Sequence, residues 1–241
     1  MSVTIDLQKK MIAPASRMLA LQQQEEQKVR KLSLDAYGQL VEANLLITGV
    51  IASILFRLNG RVSMAFGNVH ERMSLLSSFV IGIDLCERSI SGGKYIQASA
   101  LLRQEMEILA ALNELKLNKR VAGKTPNICH LDLSMRKLYS DLTDATHVSK
   151  PHILSLATQY KGGEGVSAED TFTSRNFVEL DAELARRLYA LHVLIMMHIV
   201  GVFEEHLQEV YSDELSEDEA LSFQCALEHL IDTNYAVLIS A

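Results

Sequence analysis

The sequence predicts an all-α protein, an antiparallel bundle of about six or seven helices with one long irregular connection. Three observations carry this prediction. Apolar residues recur at spacings of three and four over long stretches, the period of a helix face. Only 3 of the 241 residues are proline and 12 are glycine, so few breakers interrupt those stretches. Strand-like runs do not alternate with helical ones, which argues against a parallel sheet, and no series of short alternating runs points to a β-sandwich. With 48% hydrophobic and 22% charged residues, the chain can bury one substantial core. One helical domain over residues 1–241 is expected.

Residues 1–14 are weakly patterned and are expected to fray or to form a short helix, with Pro14 suited to a first helical turn. ASRMLALQQQEEQKVRK, from Ala15 to Lys31, carries only a thin apolar line and predicts an exposed helix. Ser33 or Asp35 can cap a second helix that ends at Asn59-Gly60 and is apolar on most faces. Asn68 with Glu71 fits a capping box for a third helix that runs to Ser91. Gly92-Gly93 then separates it from Lys94–Lys116, which is rich in Ala, Leu, Met, Glu, Gln and Arg, the strong helix formers.

That fourth helix is apolar nearly all round, with Ala98, Leu101, Leu102, Leu109 and Leu112 as its main stripe, and belongs at the centre of a bundle. Glu105 falls near the middle of the stripe, where a lone charge is costly to bury. A polar, basic connection follows, and Asp132 can cap a shorter helix from Leu133 to about Ala145. His147–Thr173 is the least helical stretch, with Pro151 and KGGEG. Irregular connections of this length often carry function, as a lid for example. A long amphipathic helix is expected from about Ser174 to Tyr211, with Phe177, Leu180, Leu184, Leu188, Leu191, Ile195, Ile199 and Val202 on one face. Ser216 with Glu219 forms a second capping box, for a closing helix to about Ile239.

Three cysteines, Cys86, Cys129 and Cys225, lie far apart without a CxxC pair. Neither a disulfide framework nor a thiolate zinc site is indicated, and a reducing, cytosolic setting is expected. MSVTIDLQKK has no secretory pattern. Uncharged stretches at 43–56 and 188–203 are shorter than the roughly 20 apolar residues a bilayer span needs, so buried helices, with no membrane association, are expected.

Charge is unevenly divided. Residues 1–163 carry a balance of +6 and residues 164–241 one of −13, within a net −7. Such asymmetry fits faces that meet in a homo-oligomer such as a dimer, or an acidic C-terminal part, here residues 204–241, held in solution. A protein partner is compatible with either.

Two constellations stand out as candidate sites. Arg103 and Glu107 are four apart on the central helix, as an ordinary ion pair or as the wall of a polar pocket. Tyr139, Asp144 and His147 sit at a later helix end, where Asp144 can orient the imidazole and the helix C-terminus favours its charged form. The spacing Ala98-x-x-Leu101-Leu102-Arg103-x-x-x-Glu107, followed by Tyr139-x-x-Leu142-Thr143-x-x-x-His147, resembles a bacterial family of helical proteins of unknown function. The resemblance implies that Arg103, Glu107, Tyr139 and His147 lie close together inside the bundle.

Arg187 and His192 match the R-x4-6-H pattern of HEPN ribonucleases, helical proteins that cut RNA at a dimer interface and often serve in bacterial defence. That resemblance implies His192 as general base on a ribose 2′-hydroxyl and Arg187 as stabiliser of the phosphorane-like charge. RNA is a partner under this alternative alone, since the net charge opposes nucleic acid. Glu-x-x-His and His-Glu-x-x-His are both missing from the sequence, and His198 with Glu205 makes no metal site by itself. No cofactor or metal is implied. The sequence thus points first to a bundle that binds a partner or small ligand in a polar pocket, and second to a metal-independent ribonuclease.

Overall fold

A computed structural model describes residues 2–62, 67–146 and 176–235. Among them there are seven α-helices and no strand, so the fold is an all-α helical bundle. The helices are α1 (Ser2–Tyr37), α2 (Gln39–Leu58), α3 (Val69–Ser91), α4 (Tyr95–Lys116), α5 (Leu133–Thr146), α6 (Ala182–His206) and α7 (Glu217–Asp232). A single 3-10 turn, Ile128–His130, precedes α5, and one π-type turn, Leu207–Tyr211, extends α6. The expected irregular stretch 147–173 lies outside the described residues.

The first boundary differs from the sequence reading. Pro14 lies inside α1, which runs unbroken to Tyr37, and Ser33 is a fully buried residue of that helix rather than a cap. The chain breaks instead at Gly38, whose φ of 55° and ψ of −128° suit a residue without Cβ. Between α3 and α4, Gly93 has φ 74°, and a Cβ there would come within 2.9 Å of Val29. That glycine lets the turn pass under α1. Asn68 does not close the expected capping box; its side-chain amide donates to the Leu115 carbonyl at 3.3 Å and so ties the start of α3 to the end of α4.

The second capping box does form, with Ser216 and Glu219 each accepting from the other's backbone N–H. Glu219 also accepts from Arg57 Nη2 at 2.7 Å, while Arg57 and Arg61 both donate to Asp213. The acidic segment after α6 is thereby pinned to the C-terminal end of α2. Sequence periodicity places the start of α6 too early. Residues 176–181 are not helical, and Asp181 is the N-cap, accepting from the Leu184 N–H at 3.1 Å.

One apolar core joins all seven helices, and α6 is its axis, packing on α1, α2, α3 and α4. Helix α4 lies beside it and packs on α3 and α5, while α7 packs on α2. Both α2 and the stretch Ala182–Tyr211 are long and apolar enough to cross a bilayer, and 67% of the apolar window of the latter is buried within the bundle. From residue 10 to residue 21, α1 keeps its side chains out of the core. Met11, Ile12, Met18 and Leu19 are all exposed.

Two glycines test this backbone reading by opposite signs. Gly38→Ala forces a side chain into a sparsely populated conformation and is expected to cost about 1–3 kcal/mol. Gly49 lies on the exposed side of α2 with open space where a Cβ would stand, so Gly49→Ala is expected to stabilise by about 0.5–1 kcal/mol. Urea unfolding followed by circular dichroism reads both.

Candidate functional site

The central helix α4 carries polar groups on two faces, and the structure gives them different fates. Glu105, on the core face, is 5% exposed. Its Oε2 lies 3.0 Å from Nδ1 of His192 on α6, whose side chain is fully buried. A carboxylate in this position accepts, so Nδ1 carries the imidazole proton. The second carboxylate oxygen, Oε1, and the second ring nitrogen, Nε2, are both buried without a partner.

Cys86 of α3 completes a group whose potential ligand atoms lie within 4.8 Å of one another. Burial, and next the adjacent Glu105 carboxylate, push the Cys86 thiol well above its ordinary range. The trio therefore unites a thiol, a carboxylate and an imidazole from three helices in the buried interior of the bundle.

On the other face, the expected contact between α4 and α5 is present in part. Tyr139 Oη donates to Glu107 Oε1 at 2.7 Å, and Arg103 Nε lies 3.5 Å from the same oxygen. Burial, and then the Glu107 carboxylate beside it, raise the Tyr139 hydroxyl above its ordinary pKa. Arg103 and Glu107 are 35% and 25% exposed, so their ion pair contributes only a few tenths of a kcal/mol. Asp144 is half-buried in the last turns of α5. His147, the remaining member of the expected pocket, lies outside the described residues.

Arg187 and His192 do not share a surface. Arg187 is exposed and pairs with Glu183 at 2.7 Å, whereas His192 is fully enclosed in the core. The spacing of five places them on different sides of α6, and a helix periodicity of 3.6 residues leads to that outcome. A base that must reach a ribose hydroxyl needs access to substrate, which the buried imidazole of the described chain lacks. Arg187 and His192 are therefore not brought together at one exposed surface of the described chain.

An open cleft lies elsewhere, between α3, the C-terminal half of α4, α6 and α7, with a volume of about 860 Å³. Leu109, Leu112, Met197, Val202, Phe223 and Leu227 give it an apolar lining. Arg72, Lys116, His198, Glu205 and Glu209 supply its charged and titratable groups. Arg72 binds Glu209 at 2.6 Å, Lys116 pairs with Glu205, and the two ion pairs leave the rim close to neutral.

Arg72 Nε is itself buried without a partner. Both nitrogens of the neighbouring His206 are buried without one as well, and its ring stands edge-on to Tyr211 at 5.8 Å. Desolvation lowers the pKa of His206, and the Arg72 charge adds to that effect. Desolvation lowers His198 too, against the opposing pull of Asp132.

No family model, curated protein or solved structure matches this chain. The cleft was not legible as a motif, because its lining is gathered from four helices. The one available signal was His198 and Glu205 seven residues apart on one helix face, a spacing that brings both to the same wall. The Cys86–Glu105–His192 trio is likewise invisible to spacing rules, since its members are 19 and 87 residues apart.

The histidines set an acid-side dependence. His198 and His206 have folded-state pKa values below the ordinary 6.5, so the unfolded chain takes up protons first as pH falls. Stability is expected to be flat just above pH 6.5 and to decline below it as these two sites titrate. His206→Phe keeps the ring contact with Tyr211 and removes both unpaired nitrogens, and is expected to make the decline shallower in thermal unfolding series across this range.

Proposed function

We propose that the protein is a ligand-binding helical bundle, and that its ligand is a small amphipathic anion held in the cleft between α3, α4, α6 and α7. The observation that carries this reading is an apolar-floored cleft of about 860 Å³ beside a buried guanidinium nitrogen without a partner. The volume falls in the range of small-molecule sites, which combine mostly apolar walls with a few placed polar groups.

An anionic head group would satisfy Arg72 Nε and compete with Glu209, the exposed member of its ion pair at 60% against 15%. Guanidinium suits this exchange because its donors form a fixed planar fork. The apolar body would lie along Leu112, Met197 and Phe223, removing water from those side chains. Nothing in this arrangement calls for bond making or breaking. Arg103, Glu107 and Tyr139 support the site indirectly, by fastening α5 to the far side of α4. The ribonuclease alternative gains no support from the placement of Arg187 and His192.

Anilinonaphthalene sulfonate, an aromatic body with one anionic head, is the probe. It is expected to bind the folded protein one to one with a rise in fluorescence. Arg72→Gln is expected to weaken binding at least about tenfold, the equivalent of one charge-assisted hydrogen bond of about 1.4 kcal/mol. Gly201 lines the cleft and has open space at its Cβ position. Gly201→Leu is therefore expected to fill the site and abolish binding while the helix content stays unchanged. Equal binding by wild type and both variants would refute the assignment.

A further inference from the structure

We infer that Cys86, Glu105 and His192 form a binding site for a divalent transition metal, zinc by the chemistry of its donors. The three side chains come from α3, α4 and α6, and their exposures are 1%, 5% and 0%. Their ligand atoms lie within 4.8 Å of one another, with one oxygen and one nitrogen already 3.0 Å apart. Donors around a tetrahedral zinc stand about 3.3–3.6 Å apart when its bonds are about 2.0–2.3 Å. Closing the trio onto an ion therefore needs movements of roughly an ångström, within the reach of side-chain torsions.

The hydrogen bonds of the trio are insufficient for what is buried there. A thiol is a weak donor, and among the described residues no Lys or Arg pairs with Glu105. Its Oε1 and the Nε2 of His192 are left with no partner at all, an arrangement that costs free energy in a core. A divalent cation supplies the counter-charge that the buried Glu105 carboxylate lacks. It converts Cys86 to thiolate, displacing the thiol proton to solvent. Glu105 remains a carboxylate, and His192 stays neutral and ligates through Nδ1, the nitrogen that faces Glu105 at 3.0 Å, its proton moving to Nε2.

The charges then sum to zero within the core, with 2+ on the ion and one negative charge each on Cys86 and Glu105. A sulfur, an imidazole nitrogen and a carboxylate oxygen form the mixed donor set that zinc takes, whereas calcium and magnesium favour oxygen alone. Three protein donors leave one coordination position for a water. Because the site is enclosed, loading accompanies folding, and metal binding adds directly to fold stability. The cleft described above plays no part in it.

The test uses the full chain, unfolded with chelator, freed of metal and refolded with one equivalent of Co2+. The expected result is one bound ion per chain, with a thiolate charge-transfer band in the near ultraviolet and the visible bands of tetrahedral cobalt, all bleached by Zn2+. Cys129 and Cys225 lie outside the site, so a Cys129→Ser/Cys225→Ser variant should keep the spectrum. Adding Cys86→Ser should remove the thiolate band while far-ultraviolet circular dichroism is retained. Glu105→Gln gives an independent variant, with cobalt affinity expected to fall at least about tenfold. Refolded wild type without stoichiometric cobalt, or a thiolate band that survives Cys86→Ser, would overturn the site.

Discussion

The contact between Glu105 and His192 is the constraint on which the bundle depends. Helices α4 and α6 form its centre, and both are apolar on nearly every side. Apolar packing alone leaves two such helices free to slide or rotate by a residue with little change in buried area. A carboxylate 3.0 Å from an imidazole nitrogen removes that freedom, because any other register leaves a buried charge without its donor. The apolar majority supplies the driving force for burial, and the buried polar contact selects which burial is made.

From that contact the remaining architecture is set at increasing distance. With α4 and α6 in register, Asn68 reaches the last turn of α4 and Tyr139 reaches Glu107, so α3 and α5 are fastened to α4 at two further points. Arg57 and Arg61 hold Asp213 and Glu219 and close α7 over α2. The strongly acidic end of the chain thus spends part of its charge inside the monomer, on arginines from the basic half. The cleft opens where α7 and α3 diverge across the C-terminal halves of α4 and α6.

Much of the fold was legible in the sequence. Apolar periodicity located α4 and most of α6, because those helices bury continuous stripes and the stripe is what the pattern measures, while an apolar run marked α2 and Gly92-Gly93 marked the end of α3. The Ser216–Glu219 box marked the start of α7 correctly because capping is local chemistry. Boundaries set by tertiary packing were misplaced. Ser33 has the chemistry of a cap but is drawn into the core within α1, and Phe177 with Leu180 continue the periodic stripe although the helix starts only after Asp181. The site was less accessible still. Glu105 was recognisable as an anomaly on an apolar stripe, yet its partner lies 87 residues away, and helical periodicity carries no information about which stripe faces which. Arg103 and Glu107 declared themselves by spacing and proved to be a half-exposed pair.

The most direct test of this account is a double-mutant cycle on Glu105 and His192, with stability from urea unfolding of wild type, Glu105→Ala, His192→Ala and the double variant. Side chains that hold each other in a closed core lose most of their value when either partner is removed. The expected coupling is about 1–3 kcal/mol, the double variant being less destabilised than the two single changes added together. Additivity within about 0.3–0.5 kcal/mol would contradict it, and would mean that apolar packing alone registers α4 against α6.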